Sequence, residues 1–442
     1  MLTAFKYFLR LALIPVLYIG AIFTVLVTIF KDAKWGLFLM IALIPQPNIW
    51  YKLHSNPYGK DFMDILFFAV LIGILVQKKG FDKTDNSKLI IIFILISYLA
   101  LWNSSIRFSL PLPFTTSNEL LTDWKNYAEM ILLYFLVLNV VKEEKQQKVL
   151  VVIMALVVLF ISIRSYRNFT GGDAFDYDKR YGGPFETVGL GSNHLGAFIA
   201  YTSAFFLGLF FYDKDKKRKL LYLATVLFSL HPLFFAYSRG AYLAALCVLA
   251  FYAVIKKRSL LILVAVILLT WQTIMPVSVV DRIMMTRTEA GEFEDSAGGR
   301  ILLWEVALDL FKEHPIVGSG FGSYSMSVGG IALANNTTLP EGGFDSHNYY
   351  MKTLSEQGII GIALLVLILL MGFYSGWRLF RNGKTPFTKG LGLGFMGCVI
   401  AMMVTNVFGD RWSYFALGSY FWIFWGIVDR SILLQPKLSI QK

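Results

Sequence analysis

Charge is what this chain has least of. Of its 442 residues only 16% are charged, against 56% hydrophobic and 16% aromatic, and the mean hydropathy is +0.59. A soluble domain carries about a quarter charged residues, so that class is excluded and a polytopic membrane protein is indicated. Cysteine is almost absent. Cys247 and Cys398 both fall inside apolar segments, which leaves no disulfide framework and no thiolate metal site. Histidine numbers five, and neither His54 nor His231 has ligand-spaced neighbours, so no metal and no other cofactor is expected. A nucleotide loop is missing too: the glycines of residues 314–322 follow no strand and precede no suitably spaced lysine, and they read as a tight turn at the membrane surface. Lys6 and Arg10 precede an apolar run without a small-residue cleavage site, the pattern of a retained first span. With no fixed-period repeat and no low-complexity tract, residues 1–442 read as one helical membrane domain.

What is present is a ladder of apolar runs. Segments long enough to cross a bilayer lie near 11–30, 62–77, 88–102, 127–141, 149–163, 189–212, 219–237, 240–255, 259–280, 357–376, 388–408 and 413–431. The expected fold class is therefore all-α, with about twelve transmembrane helices. The net charge of +12 sits in short clusters between the runs, which is positive-inside anchoring rather than nucleic-acid binding. Connectors 77–88, 142–148, 213–219, 256–258 and 378–389 are Lys/Arg-rich at every second turn and are assigned to the cytoplasm, with the N-terminus and the Asp429-Arg430…Lys437 tail. Loops 45–61, 103–126, 164–188, 276–356 and 409–413 then face outward. Residues 35–45 are apolar but too short to cross, and read as a re-entrant or interfacial piece ending at Trp50-Tyr51.

The outward loops hold the uncommon polar residues. The longest, 276–356, opens with Asp281 and Arg282, passes the acidic run Glu289, Glu292, Glu294, Asp295, reaches Gly298-Gly299-Arg300 and closes on Asp345-Ser346-His347-Asn348. A loop this long with secondary structure of its own is more often functional than connective. Arg300 opens the amphipathic segment 301–312, whose Leu303, Trp304, Ala307, Leu308, Leu310 and Phe311 share one stripe. Such a helix could lie flat on the outer membrane surface, its N-terminus and the Arg300 fork suited to an anion. Arg239, in Ser238-Arg239-Gly240-Ala241, stands at the junction of two spans; a cavity-facing charge and a snorkelling anchor are the two readings. Loop 164–188, the second external loop of interest, carries Arg164, Arg167, Asp173, Asp176, Asp178, Lys179 and Arg180 and runs into Gly191-Ser192-Asn193-His194. His347, two residues after an Asp345 that could orient it, is the candidate proton-transfer group, because imidazole titrates near neutral pH.

These motifs resemble a known family. His347-Asn348, nine residues, Gly358, two residues, Gly361 is similar to the signature of the bacterial O-antigen ligases. The order Ser-Arg-Gly at a span start, Gly-Gly-Arg-x-x-x-Trp opening the large loop, His-Pro-x-x-Gly-x-Gly, then His-Asn resembles the wider superfamily of O-antigen ligases and polymerases, over roughly residues 180–375. The resemblance implies metal-independent, inverting transfer of a glycan from undecaprenyl diphosphate to an acceptor hydroxyl at the periplasmic face of the bacterial inner membrane. By matching position, Arg239 and Arg300 would hold the diphosphate and His347 would activate the acceptor, with Arg180, Asp345 and Asn348 as further substrate-binding residues. A ligase passes the glycan to lipid A–core, and a polymerase passes it to a second lipid-linked glycan. The His347-Asn348 signature favours the ligase, while Arg180, ten residues, Gly191 resembles an arginine motif of the polymerases. The remaining readings are a lipid or solute transporter without chemistry, which would carry inverted repeats or helices broken in matched halves, and a channel or structural protein.

Overall fold

The computed structural model describes residues 2–171, 175–176, 179–256, 258–285, 295–334 and 345–435, and among them every regular element is helical. Asp173, Asp178, Glu289, Glu292, Glu294 and Lys437 lie outside the described residues. Helices α1 (Leu2–Phe30), α2 (Lys34–Leu43) and the single-turn α3 (Pro47–Trp50) lead through a 3-10 turn at Tyr51–Ser55 into α4 (Phe62–Val76). Next come α5 (Ser87–Arg107), α6 (Glu119–Val140) and α7 (Glu144–Asn168). A second 3-10 turn, Gly183–Val188, precedes α8 (Ser192–Tyr212), α9 (Lys216–Phe235), α10 (Arg239–Ile255) and α11 (Leu260–Ile274). The long loop holds α12 (Val277–Met284), α13 (Asp295–Glu313) and α14 (Ser323–Ala334), and the chain closes with α15 (Tyr349–Asn382), α16 (Pro386–Val407) and α17 (Phe415–Leu433).

Each of the twelve expected segments is helical, as an apolar backbone without water partners must be. By length and composition, five of the described helices can cross a membrane: α5, α7, α8, α15 and α16. A sixth crossing forms if the bent pair Leu261–Ile274 and Val277–Met284 is one broken span. Others are short of a full crossing: α4, α10 and α11 have 15, 17 and 15 residues, against about 20 for a bilayer. The expected uninterrupted run 259–280 is corrected by that pair, which bends by 103° around Met275-Pro276. Proline lacks the N–H a helix would use and pushes the residue before it out of the α region; Met275 is extended at ψ 150°. Helix α2, from the segment expected to be re-entrant or interfacial, buries Leu37, Met40 and Ile41 within the bundle. It starts beside the 77–88 connector, where Asp32 pairs with Lys79 at 2.7 Å, so α1 and α4 both end on that side, which corrects the expectation that places the N-terminus there.

The bundle is centred on α16, whose Gly390-Leu-Gly-Leu-Gly394 run lets neighbours approach at backbone distance. A Cβ on Gly394 would collide with the Phe205 carbonyl of α8, and one on Gly392 with the α15 backbone at Gly376 and Phe380. Small residues at helix contacts replace the hydrophobic drive that lipid cannot supply. Beside it, α17 buries Trp422 and Trp425 completely against α6 and α16.

The basic connectors meet at one end. Arg430 of α17 pairs with Asp82 at 2.7 Å, Lys142 donates to the Lys79 carbonyl at 2.5 Å, and Arg378 pairs with Asp85 at 2.9 Å. Lys214, Lys219, Lys256, Lys384 and Lys389 share a basin at that same end. At the other end of α5, Asn103 Nδ2 donates to the Gly318 carbonyl (2.9 Å), Phe321 N donates to the Ala100 carbonyl (3.0 Å), and Arg107 pairs with Glu313 (3.1 Å). The long loop is thus seated on the end opposite the lysines.

Candidate active site

The glycine-rich segment 314–322 is inserted into a break in α15. Gly358 sits at φ 61°, ψ −159°, which interrupts the helix, and a Cβ there would strike the Ile316 carbonyl. The hydrogen bonds the helix loses are made across the break. Ser319 N and Gly320 N donate to the Ser355 and Glu356 carbonyls (both 2.8 Å), and Ile359 N donates to the Pro315 carbonyl (2.9 Å). The segment is therefore a splint for the start of α15, which carries His347 at its mouth.

Helix α13 holds the other side. It buries Leu303, Val306, Ala307 and Leu310 against Tyr324 and Val328 of α14. This corrects the expectation of a helix lying flat on the membrane: its apolar stripe is used inside the protein, and Val306 belongs to it. Trp304 Nε1 donates to the Ser346 carbonyl (3.1 Å), tying α13 to the residue before His347. Because α13 begins at Asp295, Arg300 lies in its second turn, beyond the unpaired N–H groups of the helix start. The anion-binding N-terminus expected at Arg300 is therefore displaced, and the guanidinium alone carries that part of the expectation.

His347 adopts φ 49°, a left-handed conformation uncommon outside glycine. It is fixed from both sides. Ser346 is fully buried, and Asn348 caps α15, its Oδ1 accepting from Tyr350 N (3.0 Å) and Met351 N (3.3 Å). Asn348 thus positions the histidine. The imidazole Nδ1 lies 3.6 Å from Asp345 Oδ2, an electrostatic contact longer than a hydrogen bond. Burial holds the His347 pKa below its ordinary value of 6.5; Asp345 opposes the shift, and Arg300 and Arg411 add to it. At neutral pH the ring is uncharged and can accept a proton.

Arg411 is the residue the sequence reading missed. It is 4% exposed, in the turn between α16 and α17, with its Nη1 donating to the Asp410 carbonyl at 3.2 Å. Burial lowers its pKa to about 10, with Asp345, Tyr414 and Asp410 opposing the shift and Arg300 adding to it, so it stays cationic. Asp410, wholly buried, accepts from Lys352 Nζ (2.9 Å), Trp412 N (3.1 Å) and Ser413 N (2.9 Å). The available signal was the one used for Arg239: an arginine at the junction of two spans, in a connector too short to reach far from the membrane. His194, at the start of α8, is within electrostatic reach of both His347 and Arg411, its ring 5.3 Å from Tyr414.

Of the expected residues, then, His347, Asp345 and Arg300 are brought together, with Asn348 beneath them. Arg180 is placed at the α8 and α9 ends, its Nη2 donating to Asn193 Oδ1 (2.8 Å) and the Ala236 carbonyl (3.2 Å). Arg239 is half-buried in the first turn of α10. The adjoining Gly240 packs on Phe408, three residues before Arg411, which puts Arg239 at the same end of the bundle. Arg282, buried, stands over the Phe175 ring at 5.2 Å. Among the described residues no three His, Cys, Asp or Glu side chains form a metal-holding group.

Beside this cluster lies a cavity of about 690 Å³, reached by Asp345, Lys352, Glu356 and Tyr414 on one wall and by α3, α4 and α6 on the other.

An all-helical membrane protein with a histidine and buried guanidinium groups at the loop-bearing end is the class this geometry defines. Comparison with known proteins gives the particulars. Residues 224–366, which include Arg239, Arg300 and His347, match the family model described as O-Antigen ligase. The chain is 26% identical over 233 residues to an O-antigen polymerase from Salmonella muenchen, covering 50% of this chain and 55% of that protein. It is 30% identical over 94 residues to the exopolysaccharide production protein ExoQ of Rhizobium meliloti (strain 1021), covering 20% of this chain and 21% of that protein. The chain is thus similar to the O-antigen ligase and polymerase superfamily that its motifs resemble, and it spans about half the length of one of these relatives and a fifth of the other.

Proposed function

We propose that this protein transfers a glycan from undecaprenyl diphosphate to an acceptor hydroxyl at the periplasmic face of the bacterial inner membrane. In this reading the lysine-bearing end is cytoplasmic, and residues 276–356 form the external loop that carries the site. The observation that carries it is the His347 imidazole set 3.6 Å from Asp345, with Arg300 and Arg411 within electrostatic range of both. His347 takes the proton of the acceptor hydroxyl as its oxygen bonds to the anomeric carbon. The bond from that carbon to the diphosphate oxygen breaks on the opposite face, inverting the centre. Arg300 and Arg239 meet the charge gathering on the leaving diphosphate, and Arg411 adds to the field from behind. Asp345 stabilises the imidazolium that forms.

The acceptor separates two readings. The family model and the His347-Asn348 signature support a ligase acting on lipid A–core. The 233-residue match to a polymerase, with Arg180 bonded to the α8 entrance beside His194, favours a second lipid-linked glycan as acceptor. The lipopolysaccharide ladder of a deletion strain decides: long glycan stranded on the polyprenyl carrier means ligase, and a single repeat on core means polymerase. Arg239→Lys in the purified protein tests the donor site, because a point charge does not replace a fork. Full activity in that variant would reduce Arg239 to a membrane anchor.

A further inference from the structure

The cavity beside Asp345 has a chemistry of its own. Six acidic residues line it, Asp61, Asp64, Asp123, Glu129, Asp345 and Glu356, against three lysines, Lys60, Lys125 and Lys352. Two of those cations are already engaged, Lys125 by Asp64 and Lys352 by Asp410 outside the wall. Arg300 and Arg411 are not in its lining. Charge is therefore sorted about Asp345, cationic on the His347 side and acidic on the cavity side.

Four buried polar atoms on cavity-lining residues have no hydrogen-bond partner in the protein: Trp50 Nε1, His54 Nε2, Glu129 Oε1 and Asp345 Oδ1. Glu129 is only 5% exposed. Orphaned buried groups are rare and call for a partner. The set mixes a donor, an imidazole nitrogen that can do either, and two acceptors. A diphosphate, which only accepts, satisfies the donors alone. A sugar hydroxyl both donates and accepts, and Trp50, Tyr127, Phe321 and Tyr414 supply apolar ring surface in the same walls. The volume falls within the range of small-molecule sites, roughly 300–1,000 Å³.

We infer that this chamber binds the acceptor glycan, and that it selects sugars free of acidic groups, neutral or amino, over uronic or phosphorylated ones. The inference rests on the transferase reading for the word acceptor; the selectivity rests on the chamber alone. Asp345 belongs to both sides, facing the histidine with Oδ2, so an acceptor hydroxyl bound at this wall is presented to the base.

The test measures binding of chitotriose and of trigalacturonic acid to the full chain in nanodiscs at pH 7. Chitotriose should bind at least about tenfold more tightly, since like charges brought together cost more than one factor of ten. Glu129→Met and Trp50→Phe should each weaken chitotriose about tenfold, the loss expected for one hydrogen bond to a buried group. Asp123→Lys should narrow the preference between the two probes, and His347→Ala should keep it. Equal binding of the two trisaccharides overturns the inference, as does unchanged chitotriose binding in both Glu129→Met and Trp50→Phe. Failure of the transferase reading looks different: selective binding persists, but no polyprenyl-diphosphate donor yields product. Transfer that uses acidic and neutral acceptors equally removes the selectivity and leaves the transferase standing.

Discussion

Two sets of glycines bring backbones together in this protein, and they do so with opposite consequences. Those of α16 keep helical geometry, and their missing side chains let α8 and α15 close on an intact helix. Gly318, Gly320 and Gly358 take positive φ; the helix they touch is broken and its hydrogen bonds are made good by a foreign segment. The first arrangement is a scaffold, dry and redundant. The second is a single joint, and the histidine stands at its mouth. A membrane bundle can thus be held by close packing in one half while its reactive end is positioned by a few non-repeating hydrogen bonds.

The comparison can be broken most severely at the joint's cargo. His347→Ala should lower glycan transfer by about 10²–10⁴, the usual worth of a general base, with thermal unfolding in detergent unchanged. Retention of the normal rate by the purified variant would end the role assigned to the imidazole. On the scaffold side, Gly394→Leu should cost about 1–3 kcal/mol or more of stability through overpacking, read as a lower melting temperature and less folded protein. Activity per folded molecule should barely change. Gly358→Ala should behave in the reverse sense: a strain of about 1–3 kcal/mol at a backbone conformation only glycine adopts readily, with its Cβ against the Ile316 carbonyl, and transfer falling further than stability. If both glycine variants lose activity only in proportion to folded protein, scaffold and joint are the same thing.

The smallest effect is one of pH. In the proposed role His347 acts as a base when neutral, and its pKa is lowered from 6.5 by burial and by the two arginines. The rate should therefore hold down to pH 6.5 and fall only below it, with the acid limb moving up in Arg411→Gln as one repelling charge is removed. An acid limb above pH 6.5 in the wild type would contradict the environment described for the ring.

Much of this was legible in the chain. Every apolar run became a helix, and the basic connectors that alternate along the sequence gather at one end through pairs such as Arg430–Asp82 and Arg378–Asp85. His347 and Asp345 were singled out by residue type and by their place where the loop returns to the bundle, and Arg300 by its place at the opening of the amphipathic segment. What could not be read is where segments dock. The amphipathic stripe of α13 was visible, yet a stripe does not say whether lipid or protein covers it, and α14 and the Ser346 turn cover it here. The turn at 314–322 reads as surface, because nothing local shows that α15 breaks to receive it.

Composition and periodicity determine helices and their apolar faces, since those properties are sums over neighbouring residues. Only the tertiary structure decides that Arg411 comes within electrostatic range of the histidine, and that acidic residues from α4, α6 and α15 line one chamber. Those are meetings between residues tens to hundreds of positions apart. They are fixed by which helices pack side by side, and no local pattern encodes that choice.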